Sequence, residues 1–223
     1  AVNPLWSLIE ARARVEKIMD EAPGVKSLWL KTNGRFKGFV PGQHVLLELE
    51  INGARHARCF SFSTAPRADG LIRVTIKQKE KGPVSAAAHA LKPGQIVRLS
   101  QAQGTFAPRE SNGKLLLLSA GSGVTPMMSL LQKMADENSS RDVVLLHCGH
   151  DDTDIIFADE LRQLAAKWPS LTLHLHATKK LGRLSDGKIA ELVPDWQTRE
   201  TLLCGPDGFM QSVEKMFADA GRS

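Results

Sequence analysis

The 223-residue sequence contains only three cysteines, at positions 59, 148 and 204, and none of them forms a C-x-x-C pair. Three scattered cysteines are too few for a disulfide framework. Paired cysteines are also the usual mark of zinc and iron–sulfur sites, and they are missing here. No metal site is therefore expected within this chain.

Long hydrophobic runs are also missing, since no apolar stretch approaches the roughly 18 residues that span a membrane. Residues 1–10 carry neither a basic segment nor a long apolar core, so they do not predict a signal peptide, and a cytoplasmic protein is expected. The net charge is +5. Because no Lys/Arg block or Arg/aromatic interleaving occurs, this charge favours an anionic cofactor or an acidic protein partner over a nucleic acid.

The remaining composition is that of a folded protein, with 42% hydrophobic and 24% charged residues. At this length the chain can form one large or two ordinary domains, each with its own core. The local patterns favour two domains, at residues 1–107 and 114–223, joined by the polar stretch 107–113.

The first part of the chain consists of short apolar runs separated by Pro-Gly, Asn-Gly and Asp-Gly pairs, a pattern typical of antiparallel sheets. A single helix is predicted at 84–91, where three alanines follow one another. We therefore predict a six-stranded antiparallel β-barrel with one helix. Its strands are expected near 13–18, 25–30, 45–51, 58–61, 71–77 and 96–99.

The second part alternates strand-like and helical segments, which indicates an α/β domain with a parallel sheet, expected to have five strands. Ligands bind beyond the carboxyl ends of such strands, where the loops 121–126, 149–151 and 205–206 fall. Strand-like segments lie at 114–120, 143–148, 171–177 and 201–204, and helical ones at 125–135, 154–168, 186–192 and 207–220.

Two glycine-containing turns suggest phosphate binding. In the second domain Gly121 and Gly123 follow four leucines and precede Pro126, so a strand ends in a tight loop at a helix start. In the first domain Gly82 and Pro83 begin the lone helix. Each turn also has a plainer interpretation. The loop at 121–126 could be an ordinary strand-to-helix connection, because Pro126 stands where a dinucleotide fingerprint has its third glycine. The Gly82-Pro83 turn could be an ordinary helix cap.

A third pattern, Arg58-Cys59-Phe60-Ser61, offers a fixed cation, an aromatic face and a hydroxyl. Arg58 and Phe60 are two residues apart and so lie on one side of a strand. A flat anionic ligand could use all three groups. The alternative is a core phenylalanine beside a solvated arginine.

Together these motifs resemble the ferredoxin–NADP reductase superfamily over nearly the whole chain. Residues 58–64 resemble its R-x-Y/F-S-x-x-S/T flavin motif, residues 121–126 its G-x-G-x-x-P nucleotide loop, and residues 204–206 its C-G-P motif. The Pro41-Gly42-Gln43 turn precedes the flavin motif, as in the family. The overall arrangement looks most like the iron–sulfur-fused reductases of oxygenases and desaturases.

The resemblance implies that the first domain binds FAD. Arg58 would neutralise the pyrophosphate, Phe60 would stack on the isoalloxazine, and Ser61 would lie near flavin N5 as a catalytic residue. The other expected cofactor-binding residues are Ile76 and Lys77, through their backbone, and Gly82, Pro83, Val84 and Ser85 at the pyrophosphate.

The resemblance also implies that the second domain binds NADPH or NADH as a substrate. Cys204 would border the nicotinamide as the second catalytic residue. The expected nucleotide-binding residues are Gly121, Gly123, Val124, Thr125, Pro126, His150, Gly205, Pro206 and Asp207.

The activity implied is hydride transfer from nicotinamide to flavin N5, followed by single-electron delivery to an iron–sulfur or haem protein or fused domain. The alternative is a non-autonomous electron-distributing or regulatory subunit that binds both cofactors without turning over alone. Relatives usually continue into a short final strand, and many append a plant-type 2Fe–2S domain. The native polypeptide is therefore expected to be longer, with its second domain truncated here.

Two departures from the family pattern affect the expected chemistry. Phe60 replaces the commoner tyrosine, and the chain contains no tyrosine at all; the stacking face is kept and a hydroxyl is lost. His150 stands where relatives often carry an arginine for the NADP 2′-phosphate. Asp151 and Asp152 would repel that phosphate, whereas Lys179, Lys180 and Arg183 would attract it, so NADPH is favoured and NADH stays open.

Overall fold

The computed structural model describes residues 5, 7, 9–109 and 113–222. It divides into two compact units. The barrel unit comprises Ala1–Phe106 together with Met128–Lys133, and the α/β unit comprises Ala107–Met127 and Met134–Ser223.

The barrel unit contains a six-stranded antiparallel sheet, as predicted. An isolated bridge between Phe62 and Val74 joins the end of the fourth strand to the fifth, so the two edges of the sheet meet there. The strands are β1 Ala11–Ala22, β2 Val25–Thr32, β3 His44–Ile51, β4 Ala54–Ser61, β5 Leu71–Lys77 and β6 Ile96–Leu99, in the order β4-β3-β6-β1-β2-β5.

The hairpin turns explain this pairing. Asn52 and Gly53 both have positive φ, 52° and 77°, which is the type I′ geometry that matches the twist of a two-residue hairpin between β3 and β4. Along β3, Val45, Leu47 and Leu49 are buried in alternation and enter the barrel core. The helix α1, Pro83–His89, adds Val84 and Ala88 to that core.

The α/β unit contains a parallel sheet in the order β10-β7-β8-β9. Every residue of β7 and β8 is buried, as expected for strands covered on both faces. The strands are β7 Leu115–Ala120, β8 Val143–Gly149, β9 Leu171–Ala177 and β10 Glu200–Cys204; the helices are α2 Val124–Asp136, α3 Ala158–Lys167, α4 Thr178–Leu181, α5 Asp186–Leu192 and α6 Asp207–Asp219.

Three details of this unit differ from the sequence expectation. The described residues form four parallel strands rather than five, because only four strand-length apolar runs occur there. The third helix begins at Ala158 and not at Asp154, since Asp151 caps a separate 3-10 turn and Phe157 has a positive φ of 61°. The four-residue α4 was not predicted.

No helix in the described part of the chain is long and apolar enough to cross a membrane.

Candidate functional site

The strand β4 presents the predicted flavin motif. Arg58 pairs with Leu47 of β3, and Ser61 pairs with His44, so the motif is fixed by the hairpin register. Arg58 is exposed, and no carboxylate in the described ranges forms an ion pair with it. Phe60 and Ser61 are half-buried, and Phe60 packs partly against the barrel core. Arg58 Nη1 donates to the Ala57 carbonyl at 2.8 Å. The strand thus offers a guanidinium that has no carboxylate partner in the described ranges, an aromatic ring and a hydroxyl.

The turn before α1 offers backbone donors. The first intrahelical bond runs from Ala86 N–H to the carbonyl of Gly82, at 3.0 Å, so the N–H groups of Val84 and Ser85 precede it. The Ser85 hydroxyl donates to Gly82 O at 2.9 Å and accepts from Lys79 N at 3.1 Å. Its hydroxyl is therefore used within the turn, and only its N–H is available to an anion.

Gly82 is required by this turn. A Cβ at Gly82 would lie 2.7 Å from Ser85 Oγ and 3.0 Å from Lys79 Cβ. A side chain there would displace the hydroxyl that ties the turn together. The cradle fits a close-approaching phosphate, as the FAD expectation requires.

Ile76 and Lys77 are the last two residues of β5, the strand that contacts α1. The whole Ile76 residue is 1% exposed and its side chain lies in the barrel core, so this side chain is not available to a ligand. Its carbonyl accepts a hydrogen bond from His89 Nε2 at 2.8 Å, which ties the last turn of α1 to β5. Nothing in the sequence indicated this role for His89, because the contact joins two elements through tertiary packing.

In the α/β unit the two predicted nucleotide motifs are in direct backbone contact. Gly121–Gly123 form a 3-10 turn at the end of β7, and Gly121 has a φ of 53°. A Cβ at Gly123 would overlap the Cys204 carbonyl and lie 2.7 Å from Gly205 N. A Cβ at Gly205 would lie 3.3 Å from the backbone N of Ala120. Only glycines allow these two loops to pack so closely.

The residues of the glycine loop, Gly121 to Pro126, differ in their exposure. Ser122 is exposed and Gly121 half-exposed, whereas Val124, Thr125 and Pro126 are buried. Thr125 Oγ1 donates to the Ser122 carbonyl at 2.9 Å, which holds the turn. The buried residues therefore shape the loop, and Gly121 and Ser122 are the part of it that solvent reaches.

The end of β10 places Cys204 at half-burial, and this burial raises the pKa of its thiol. Cys204 is thus a small neutral group and not a thiolate nucleophile. Pro206 caps α6, and Asp207 is exposed in its first turn.

The loops after β8 and β9 are tied together. The carbonyl of the exposed His150 accepts from Lys179 N at 2.8 Å. Lys180 forms an ion pair with Asp152, and the hydrogen bonds from Thr153 and Asp154 to Asp151 lower the pKa of that carboxyl.

Within the described ranges, Lys179 and Arg183 have no carboxylate within ion-pair distance. Two cations without an ion-pair partner in these ranges therefore remain on the segment that follows β9, and Lys179 contacts His150 through its backbone.

A buried serine–histidine pair lies near the end of β7, just before the glycine loop. Ser119 Oγ is 2.9 Å from His147 Nδ1, and both residues are fully buried on neighbouring strands. Burial lowers the pKa of His147 to about 4, so the ring is neutral at physiological pH. No sequence motif marked this pair; it arises from the register of β7 and β8, which places the two residues opposite each other.

Comparison with known proteins agrees with this geometry. Residues 12–107 match the oxidoreductase FAD-binding domain family, and residues 117–215 match the oxidoreductase NAD-binding domain family. The fold and the two matches define a chain with one domain of the oxidoreductase FAD-binding family and one domain of the oxidoreductase NAD-binding family. The chain belongs to the ferredoxin–NADP reductase superfamily, as its motifs indicated.

Individual relatives are similar over most of the chain. An NADPH oxidoreductase of Mycobacterium tuberculosis is 37% identical over 99% of this chain and 60% of its own length. The ferredoxin reductase component of a 3-ketosteroid-9-alpha-monooxygenase from the same species is 36% identical over 81% of this chain and 51% of its own. The chain thus spans between half and two thirds of the length of these relatives.

Among solved structures, the FAD/NAD-binding domain of a nitric oxide dioxygenase from Vibrio cholerae superposes with a TM-score of 0.86 at 28% identity, covering 96% of this chain and 95% of that one.

Proposed function

We propose that this chain is an FAD-containing NAD(P)H-dependent reductase module of the ferredoxin reductase type. The observation that carries the proposal is the exposed guanidinium of Arg58, which has no carboxylate partner among the described residues. It lies on the strand that presents Phe60 and Ser61, inside the range that matches the FAD-binding family. FAD, when bound, accepts a hydride from the nicotinamide at N5 and releases electrons singly.

Residues 1–107 form the FAD domain in this proposal. Arg58 neutralises the pyrophosphate, and the N–H groups of Val84 and Ser85 donate to it. Phe60 offers its ring face to the isoalloxazine. Ser61 places its hydroxyl near flavin N5. The FAD site is completed by the backbone of Ile76 and Lys77 and by the Gly82-Pro83 turn.

Residues 114–223 form the nucleotide domain in this proposal. The glycine loop from Gly121 to Pro126 receives the pyrophosphate, and its packing against Cys204-Gly205-Pro206 shapes the nicotinamide pocket. The neutral thiol of Cys204 supplies a small wall without competing nucleophilic chemistry. Asp207, exposed in the first turn of α6, is the remaining nucleotide-binding residue of this proposal.

NADPH is the proposed electron donor. Lys179 and Arg183, on the segment that follows β9, have no carboxylate within ion-pair distance in the described part of the chain, whereas Asp152 is neutralised by Lys180. A 2′-phosphate therefore meets net positive charge. A relative named NADPH oxidoreductase supports this preference.

The proposed acceptor is an iron–sulfur or haem protein, or a fused domain carrying such a group. Relatives named ferredoxin reductase component and monooxygenase reductase subunit support an iron–sulfur acceptor. The net charge of +5 suits an acidic partner, since complementary charge steers association.

Purification tests the proposal directly. The chain is expected to be yellow, to bleach under anaerobic NADPH, and to reduce ferricyanide with many turnovers. A preparation that remains colourless after incubation with FAD would overturn the FAD assignment. A yellow preparation that NADPH and NADH both fail to bleach would instead support the non-autonomous subunit.

A further inference from the structure

Arg73 is a buried arginine near the flavin motif but outside it. It lies on β5 with 3% of its surface exposed, and it pairs in register with Trp29 of β2. Its guanidinium carbon is 5.2 Å from the centroid of the Trp29 ring. A cation packed on an aromatic face is stabilised by the ring quadrupole, and this stacking fixes the plane of the guanidinium.

Two donors of Arg73 converge on one carbonyl. Nε donates to Ser63 O at 2.9 Å, and Nη2 donates to the same oxygen. In return, Ser63 N donates to Arg73 O at 2.9 Å. The Ser63 hydroxyl is 2.7 Å from Thr75 Oγ1, which is itself 2.7 Å from Ser27 Oγ. The backbone and the side chain of Ser63 are therefore both immobilised.

Ser63 is two residues beyond Ser61, at the point where β4 has ended. Phe62 between them is fully buried, stacks on Phe39 at a centroid distance of 3.9 Å, and bridges to Val74. On its other side Ser61 is held by its pairing with His44. The Ser61 hydroxyl itself makes no hydrogen bond within the described residues, so its placement depends on the backbone at both ends.

We propose that Arg73 is a positioning residue for hydride transfer: by clamping the Ser63 carbonyl, it sets the backbone that aims the Ser61 hydroxyl at the flavin. This inference rests on the proposed function. The fork geometry matters because both donors reach one oxygen, which a lysine ammonium cannot reproduce. Displacement of a reacting group by about 1 Å is enough to slow catalysis about 100-fold.

The test is a double-mutant cycle of Arg73→Met and Ser61→Ala in the full chain, with the rate of anaerobic flavin reduction by NADPH as the measurement. Arg73→Met alone is expected to slow reduction about 10- to 100-fold. In the Ser61→Ala background it is expected to have almost no further effect, because the group it positions is gone. Effects that multiply would overturn the proposal.

Arg67→Met is the matched control. Arg67 lies over the same Trp29 ring at 5.7 Å, but it is exposed and pairs with Asp69. In the Arg67→Met variant, NADPH is expected to reduce the flavin at the parental rate. An equal slowing by Arg67→Met would assign the effect to the Trp29 contact and would refute a role through Ser63.

Two further readouts do not depend on turnover. In flavin-free protein, Arg73→Met is expected to speed amide hydrogen exchange in the peptide 58–64, and unchanged exchange would refute the clamp. With FAD, the dissociation constant is expected to stay within about threefold of the parent, while the shape of the visible flavin band changes. FAD loss as large as that of Arg58→Ala would indicate a structural role instead.

Arg73→Lys runs the same cycle if the methionine variant does not fold, because it keeps the charge and loses the fork. It is expected to reproduce the slowing; full parental activity would overturn the proposal. A colourless parent would contradict the proposed function, whereas a yellow, active parent with independent Arg73 and Ser61 effects would contradict the positioning role alone.

Discussion

The buried His147 predicts that the α/β unit loses stability as the pH falls. Burial lowers the pKa of this ring from 6.5 to about 4 in the folded chain. The folded state therefore binds fewer protons than the unfolded state between these values. Stability is fully present above pH 6.5, and it is lost progressively as the pH falls toward 4.

The size of this effect follows from the pKa difference. About 2.5 pKa units at 1.36 kcal/mol each correspond to a loss of about 3 kcal/mol in the free energy of unfolding. Burial is the main cause of the shift, and His147 Nε2 has no hydrogen-bond partner among the described residues, so an added proton there would have no acceptor. Several kcal/mol is a large share of the stability of a typical domain.

The measurement is hydrogen–deuterium exchange of peptides from β7 and β8 between pH 4 and 7.5, corrected for the pH dependence of the intrinsic exchange rate. His147→Asn is the comparison, since its amide can still bond to Ser119 and cannot titrate in this range. The opening free energy of the parent is expected to fall by about 3 kcal/mol relative to the variant. Parallel curves for the two proteins would refute the reasoning.

Three further predictions concern the cofactor sites. Arg58→Ala is expected to lower FAD affinity about 10- to 150-fold, because a charged hydrogen bond contributes about 1.5–3 kcal/mol; full flavin content by absorbance would contradict it. Gly123→Ala is expected to weaken nucleotide binding at least tenfold, since its Cβ would overlap the Cys204 carbonyl, and an unchanged KM for NADPH in steady-state kinetics would argue against the loop. Arg183→Ala is expected to raise the KM for NADPH several-fold and leave that for NADH unchanged; equal changes for both would remove Arg183 from the 2′-phosphate site.

Local patterns in the sequence were sufficient for most of the helices and strands and for the motifs. Asn52-Gly53 predicts a hairpin because both residues accept positive φ, and the structure has the I′ geometry there. The run of four leucines before Gly121 predicts a buried parallel strand, and β7 is buried throughout. The predicted fifth parallel strand is wrong, because only four strand-length apolar runs occur in the described residues of this unit. The predicted helix start at Asp154 is also wrong, because helical periodicity does not register the positive φ at Phe157.

The sequence by itself determined the two-domain order, the family and the residues that form each motif, because hydrophobic period, turn chemistry and motif spacing are local properties of the chain. Only the tertiary structure decided what those residues touch. It placed Gly123 against Cys204 and buried His147 beside Ser119. It also bonded the Ser85 hydroxyl to Gly82 within the turn and bonded Arg73 to the Ser63 carbonyl. Such contacts join strands and helices that are distant in sequence, and strand register and packing, which no single segment encodes, bring them together.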